Sequence, residues 1–215
     1  MIATFIKNLT ELSSHTTTIF ALFAVILFIF AFLHFRKVTL NTKIIVTISL
    51  MLALTILLNQ FKLYHMPQGG SITLGGMLPL LFISFRYGPG VGFLAGFLYG
   101  MINLLQDPFI MHPVQVLFDY PLPYMALGLA GCFPKHLYIG TTIAIAGRFL
   151  CHFISGIVFF ASYAPAGTSA YIYSFIFNAT YLVPDFIICL ILLKLLPTKR
   201  LLSQMDSSTK NTFFV

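Results

Sequence analysis

Apolar residues occur along the chain in seven runs that are separated by short polar or turn-forming segments. A helix rises about 1.5 Å per residue, so roughly 20 apolar residues cross the hydrocarbon of a bilayer. Glycine and proline mark the turns between the shorter runs. The pattern predicts an all-α polytopic membrane protein whose seven helices cover residues 18–35, 44–61, 77–85, 91–105, 114–132, 137–161 and 171–196.

Composition supports a membrane protein and excludes an ordinary soluble domain. Of the 215 residues, 59% are hydrophobic and 8% are charged, and the mean hydropathy is +0.95. The formal net charge of +7 comes mainly from residues between the apolar runs, and basic segments of this kind stay in the cytoplasm. We therefore expect a multi-pass protein of the cell membrane, with the lipid bilayer as its surroundings and no nucleic-acid partner.

The basic residues also predict the side on which each loop lies. Lys7 and Lys62 are expected outside, together with loops 62–76, 106–113 and 163–169. The remaining basic turns and tails are expected in the cytoplasm, and they contain Arg36, Lys37, Lys43, Arg86, Lys135, Lys199, Arg200 and Lys210.

The sequence contains none of the common catalytic or metal-binding motifs. HExxH, GxSxG and the phosphate loop GxxxxGK[ST] are all absent from it. The three cysteines are odd in number and lack CxxC spacing, so they indicate neither a disulfide framework nor a zinc site. We expect no enzyme activity, no catalytic residue, no cofactor and no metal site, and we expect the cysteines to be small core residues.

Two polar side chains interrupt the sixth apolar run. Arg148 and His152 are four residues apart, so they lie on one face of a helix. His152 is either a hydrogen-bonded core histidine or a ligand contact, and we favour the contact because a short turn brings Tyr173 and Asn178 close. The Asn178 amide can both donate to and accept from a heteroaromatic amine and its ring nitrogen. Arg148 is expected to order the bundle by pairing with Asp185.

A carboxylate lies within the fifth apolar run. Asp119 is costly enough at that depth to indicate a function. It could form an internal salt bridge with Arg148 or a hydrogen-bonded kink at Pro121. We favour a third interpretation, in which it is the counter-ion of a cationic ligand, because ring faces attract cations by roughly 0.5–2 kcal/mol. The aromatic residues expected nearby are Tyr120, Phe160, Tyr171 and Tyr173.

Five segments in order carry a resemblance to a known family. They read MPQGGSITLGGMLP, FRYGPGVGFLAG, HPVQVLFDYPL, HFISGIVFFASYAPAG and YSFIFNATYLVPD. Together they resemble the thiamine-specific substrate-binding (S) component of energy-coupling factor transporters, the ThiT or YuaJ family. The resemblance extends over residues 42–197, nearly the whole chain.

The resemblance implies a six-helix S-component bundle that binds thiamine near the outer face. The helix expected at residues 18–35 is then an extra, amino-terminal one. We accordingly divide the chain into a tail with this extra helix (1–41), a thiamine-binding helical domain (42–197) and a cytoplasmic tail (198–215).

The resemblance also implies partners and site residues. The partners are a transmembrane coupling subunit and two ATPase subunits, and Ser49 and Ala53 approximate the small-residue face on which the coupling subunit docks. The loop 62–76 resembles a gating loop over the pocket. The resemblance implies that Asp119 faces the ligand cation, with Tyr120 beside it. It implies that the aminopyrimidine end is contacted by His152, Tyr173 and Asn178. Phe160 takes a position where relatives can carry tryptophan, and Phe109 takes one where they can carry tyrosine.

One departure from the family pattern leaves the function open to alternatives. The chain has no tryptophan, and phenylalanine and tyrosine faces hold cations less well. The expected function is capture of thiamine at the outer face for uptake. The alternatives are a solitary transporter of a hydroxymethylpyrimidine-type precursor and a membrane assembly protein that binds no ligand.

Overall fold

The computed structural model describes residues 40–210 and, ahead of them, Ile26. The extra helix predicted at residues 18–35 otherwise lies outside the described residues. From Thr42 onward the chain forms α1 (Thr42–Gln60), β1 (Lys62–His65), β2 (Ser71–Thr73), α2 (Leu78–Gln106), α3 (Pro113–Asp119), α4 (Pro121–Ala126), a 3₁₀ helix (Leu127–Cys132), α5 (Leu137–Phe159), a 3₁₀ turn (Ala161–Tyr163), α6 (Ala170–Leu195) and α7 (Thr198–Lys210).

Four of the described helices are long and apolar enough to cross a membrane: α1, α2, α5 and α6. Their ends follow local chemistry. The Asn41 side chain accepts from the backbone N–H of Ile44 at the start of α1, and the Ser169 hydroxyl accepts from Ile172 N–H at the start of α6. Such caps satisfy backbone donors that have no partner in the first turn of a helix.

The helix α2 contains a sharp turn at the predicted position. Gly88 has φ 83° and ψ 176°, outside the helical region, and Pro89 follows it. A side-chain Cβ placed on Gly92 would lie 2.9 Å from Ser84 Cβ, whereas eight residues of straight helix span about 12 Å. The chain therefore folds back between two helical segments. With these two segments, α1, the 113–132 region, α5 and α6, the described bundle has the six-part helical organisation that we expected.

The fifth predicted helix is not continuous. Residues 113–132 form α3, α4 and the 3₁₀ helix, and prolines stand in the first turn of α3 and of α4. This region packs along α2, where Gly96 meets the backbone of Tyr124 and Gly100 meets the backbone of Tyr120. Glycines four residues apart on α2 thus allow close backbone contact.

The predicted loop 62–76 contains a small sheet, which is a departure from an entirely helical fold. β1 and β2 pair antiparallel, with Tyr64 opposite Ile72 and His65 opposite Ser71. Gly69 and Gly70 have φ of 92° and 91° in the turn between the strands. Glycine adopts this backbone conformation without the strain that a side chain would bring.

The two ends of the bundle differ in the segments that they bring together. At one end α7 packs against the core through Leu201, Leu202 and Met205, and the Tyr87 hydroxyl donates to the Met205 carbonyl at 3.4 Å. At the other end the hairpin meets the segment after α2 through an ion pair between Lys62 Nζ and Asp107 Oδ2 at 2.7 Å. The predicted cytoplasmic and outer loops therefore lie at opposite ends.

The cysteines only partly match the prediction that all three are core residues. Cys151 and Cys189 are buried, but Cys132 is exposed, and all three are free thiols. Cys132 ends the 3₁₀ helix, where the chain leaves the core before α5, so its position in an apolar run did not lead to burial.

Candidate ligand-binding site

A cavity lies at the end of the bundle that carries the hairpin. It encloses about 160 Å³, which is far more than one water molecule needs. All seven sequence-predicted site residues line it, although they come from separate segments of the chain: Phe109, Asp119, Tyr120, His152, Phe160, Tyr173 and Asn178. The structure therefore brings the whole predicted set together at one concave site.

Asp119 ends α3 and is held by two protein groups. Gln115 Nε2 donates to Asp119 Oδ2 at 2.5 Å, and His152 Nδ1 lies 3.4 Å from Asp119 Oδ1. The side chains of Asp119 and His152 are 17% and 11% exposed. Asp119 thus pairs with His152 and not with Arg148, so the internal salt bridge that we considered is not formed.

Two phenylalanine rings form an aromatic wall of the cavity. Phe109 and Phe160 are stacked, with centroids 5.7 Å apart and an interplanar angle of 23°. Tyr120 holds the first of these residues in place, because its hydroxyl accepts from Phe109 N–H and donates to the Asp107 carbonyl. The centroid of the Phe160 ring also lies 5.9 Å from that of the Tyr163 ring.

The amide of Asn178 is largely satisfied by the protein itself. Its Nδ2 donates to the carbonyls of His152 and Ser174, and its Oδ1 accepts from the Tyr181 hydroxyl at 2.9 Å. These bonds join α5 to α6. Asn178 lines the cavity, and its carbonyl oxygen retains one lone pair for a ligand.

Arg148 does not pair with Asp185, contrary to the prediction. Its guanidinium carbon lies 4.2 Å from the centroid of the Tyr124 ring, and within the described side chains it forms no ion pair with a carboxylate. Asp185 Oδ1 instead accepts from the backbone N–H of Thr73 at 3.1 Å and from its hydroxyl at 3.0 Å. The partner of Asp185 is thus Thr73 in the hairpin, which the pattern of apolar helices could not predict.

Tyr171 does not lie at the site, contrary to the prediction. It is 59% exposed and does not line the cavity, whereas Tyr173 does. The two tyrosines are two residues apart on α6, and this spacing turns side chains to different sides of a helix.

The hairpin closes over the site through its contacts with α6. Besides the two bonds from Thr73 to Asp185, Met66 packs in a buried cluster with Tyr181 and Leu182. A Cβ on Gly70 would lie 2.8 Å from the Tyr181 ring, so only glycine fits where the turn meets this tyrosine.

Several lining residues were missed from the sequence: Gln115, Thr73, Tyr124 and Tyr181. Gln115 carried a usable signal, because it is a polar residue four positions before Asp119 and on the same helical face. Nothing in the sequence marked Thr73 as a site residue beyond its position in a polar loop. In the part of the chain that the structure describes, no group of three His, Cys, Asp or Glu side chains could hold a metal ion.

The arrangement of the helices and the cavity defines a class of protein. The bundle has helices long enough to span a membrane and, at one end, a cavity that combines a carboxylate, an imidazole, an amide and stacked aromatic rings. Such a cavity suits a small organic cation that also carries hydrogen-bonding groups. The chain is a multi-pass membrane protein with a cavity that suits a small ligand.

The family follows from comparison with known sequences. The family model described as thiamine transporter protein (Thia_YuaJ) matches residues 45–204, and the chain belongs to this family. Thiamine transporter ThiT of Bacillus subtilis (strain 168) is 38% identical over 175 residues, which cover 71% of this chain and 88% of that protein. The family is one of transporters and not of enzymes.

Two further relatives agree with this assignment. Thiamine transporter ThiT of Lacticaseibacillus paracasei (strain ATCC 334) is 28% identical over 123 residues, which cover 48% of this chain and 61% of that protein. A solved structure of ThiT from Listeria monocytogenes has a TM-score of 0.65 at 22% identity and covers 77% of this chain and 96% of that one. The structural match establishes the same helical fold.

Proposed function

We propose that the protein takes up thiamine, as the membrane-embedded component that captures the vitamin at the outer face. Membership of the thiamine transporter family supports this function. The observation that carries it is the position of Asp119, a largely buried carboxylate in a cavity that is also lined by His152, Phe160 and Asn178.

The chemistry of thiamine fits these groups. Its thiazolium ring carries a permanent positive charge, which Asp119 would neutralise in a site that excludes much of the water. The stacked rings of Phe109 and Phe160 offer apolar faces to the ligand, and ring faces also attract cations. The aminopyrimidine would meet His152 and Asn178, and the lone pair that the Asn178 carbonyl oxygen retains suits its amine.

The hairpin is proposed to act as a lid over this site. It covers the cavity from the predicted outer side, and Thr73 and Met66 attach it to α6. Opening these contacts would admit thiamine, and closing them would exclude water and strengthen the attraction between carboxylate and cation.

Transport is proposed to be driven by other subunits: a transmembrane coupling subunit and two ATPases. The sequence has no phosphate loop of its own. Ser49 and Ala53 are both exposed on α1, one helical turn apart, so they present a small-residue face on which a partner helix can pack closely.

Asp119→Asn tests the counter-ion role in purified protein. Removing one partner of a buried charge pair costs about 2 kcal/mol or more, so we expect thiamine binding to weaken by at least about 30-fold. Isothermal titration of parent and variant measures this. Asp107→Asn is the matched control, because that carboxylate is 45% exposed and already paired with Lys62, and it should change affinity by less than about threefold. Equal affinity of parent and Asp119→Asn contradicts the assignment.

A ligand panel separates thiamine from the alternatives. A neutral hydroxymethylpyrimidine that binds more tightly than thiamine, and equally to parent and Asp119→Asn, would indicate a precursor transporter. Any ligand that binds the folded state raises its melting temperature. A melting temperature unchanged by thiamine, its phosphates and its two halves would indicate a membrane assembly protein.

A further inference from the structure

Gln115 is bonded through both the nitrogen and the oxygen of its side-chain amide. It is fully buried and lines the cavity. Its Oε1 accepts from the backbone N–H of Met111 at 3.0 Å. Its Nε2 donates to the Phe109 carbonyl at 3.0 Å and to Asp119 Oδ2. One amide thus joins the loop that carries the aromatic wall to the carboxylate of the site.

These contacts fix which way round the amide lies. A backbone N–H can only donate, so the atom that faces Met111 must be the oxygen of Gln115. The nitrogen then faces Phe109 and Asp119, and both of its N–H groups are used. Asp119 Oδ2 is therefore engaged as an acceptor, and Oδ1 is the oxygen that faces His152.

The carboxylate in turn fixes the tautomer of His152. An ionised carboxylate can only accept, so the hydrogen between the two side chains must be on Nδ1. In neutral imidazole the other nitrogen, Nε2, is then an acceptor. Nε2 of His152 is buried and has no hydrogen-bond partner among the described residues, and His152 lines the cavity.

We propose that Gln115 is a positioning residue that fixes Asp119 and, through it, the Nδ1–H tautomer of His152, so that a buried acceptor without a protein partner lies in the wall of the cavity and selects a ligand with a hydrogen-bond donor. The donor that fits is a primary amine on a flat heteroaromatic ring. Its assignment to the amine of thiamine rests on the proposed function, but the tautomer does not.

The arrangement makes the aromatic wall part of the same unit. The Phe109 carbonyl accepts from Gln115, and the Phe109 N–H donates to Tyr120, so the residue is held on both sides. Loss of the Gln115 amide would therefore free the Asp119 carboxylate and also loosen the aromatic wall.

Gln115→Leu tests the proposal because it keeps the approximate size of the side chain and removes the amide. Gln204→Leu is the matched control, since Gln204 is exposed on α7 and does not line the cavity. The first measurement is nitrogen-15 NMR of the imidazole in ligand-free protein, with the His152 signals assigned by their absence from His152→Gln. We expect Nδ1–H in the parent and in Gln204→Leu, and a substantial population of Nε2–H in Gln115→Leu.

The second measurement compares thiamine with an analogue that lacks the ring amine. The parent and Gln204→Leu should prefer thiamine by about tenfold or more, because the analogue leaves the buried Nε2 without a donor. In Gln115→Leu this preference should fall to less than about threefold. A purely structural role would weaken both ligands equally.

Two results overturn the proposal: Nε2–H on His152 in the parent, or Gln115→Leu with the parent's tautomer and the parent's preference. The parent spectrum decides the first even when the variant does not fold. Absence of thiamine binding to the parent, with the Nδ1–H tautomer present, would instead refute the proposed function and leave the positioning role of Gln115 intact.

Discussion

The carboxylate of Asp119 is buried at a cost that the protein offsets only in part. A charge removed from water needs partners, and in this chain Asp119 has the amide of Gln115 and the ring of His152. Neither partner carries a full opposite charge as long as the imidazole is neutral. A cationic ligand would complete the neutralisation, so at the scale of single residues the site is built to gain free energy on binding.

Phe160→Trp tests the aromatic part of the site. Indole holds a cation more strongly than benzene, by about 0.5–1 kcal/mol, so thiamine should bind about two- to fivefold more tightly. The chain has no other tryptophan, and the fluorescence of the new one should therefore change on titration.

Phe175→Trp is the control for this substitution. Phe175 is 56% exposed and contacts Phe149 and Phe153, away from the cavity lining. The fluorescence of the indole at position 175 should not change on titration with thiamine, and this variant should bind thiamine as tightly as the parent does. Weaker binding by a well-folded Phe160→Trp would show that Phe160 does not face the cation.

The sequence showed which polar residues lie within apolar runs, but not which of them contact one another in the fold. Asp119 and His152 stand out as polar groups in apolar runs, so both could be predicted. Their contact joins positions 33 residues apart, and Thr73 lies 112 residues from Asp185. Arg148 was wrongly paired with Asp185 because both lie in apolar runs and the hairpin, which supplies the true partner, was predicted as a loop.

At the scale of elements, the hairpin depends on one buried threonine. Thr73 is 3% exposed, and its hydroxyl donates to Asp185 and accepts from Gly76 N–H. The second strand is thereby fixed to α6. Elsewhere the hairpin has the buried Met66, but all four residues of β1 are exposed, so the hairpin should open without disrupting the helical core.

Thr73→Val should loosen the hairpin without unfolding the bundle. A hydrogen bond to a charged group contributes about 1.5–3 kcal/mol, and its loss should speed amide exchange in residues 62–76 by about tenfold or more. Hydrogen–deuterium exchange measures this, and α2 serves as an internal reference.

Thr180→Val is the control for the hairpin, because the Thr180 hydroxyl is exposed and bonds only to the carbonyl of Ile176 in its own helix. It should leave exchange in the hairpin unchanged. Equal exchange of the hairpin in parent and Thr73→Val would show that the contact with Asp185 does not hold the lid.

Elements whose own residues favour them could be predicted from the sequence, whereas interruptions within an apolar run could not. The turn at Gly88 and Pro89 was visible because both residues disfavour a straight helix. The region 113–132 was predicted as one helix, since its apolar length outweighed Pro121 and Pro123. In the fold, its short helices follow the glycine face of α2, a packing constraint that no local pattern contains.

At the scale of the whole molecule, the ligand site and the proposed docking face are separate surfaces. The cavity lies under the hairpin, whereas Ser49 and Ala53 are exposed on α1 and do not line it. Only Ile48, Leu52 and Thr55 of α1 are buried. Binding and coupling should therefore be separable by substitution.

Ser49→Leu combined with Ala53→Leu should abolish coupling and spare binding. Larger side chains would hold a partner helix away, and overpacking of such a contact costs about 1–3 kcal/mol. Cellular thiamine uptake should fall by about tenfold, while the purified variant binds thiamine within about twofold of the parent. Thr180→Leu, an equally exposed position on α6, controls for added bulk on the membrane face. Uptake at the parent rate in the double variant would mean that α1 is not the docking face, because a partner helix packed against it could not accommodate two leucines.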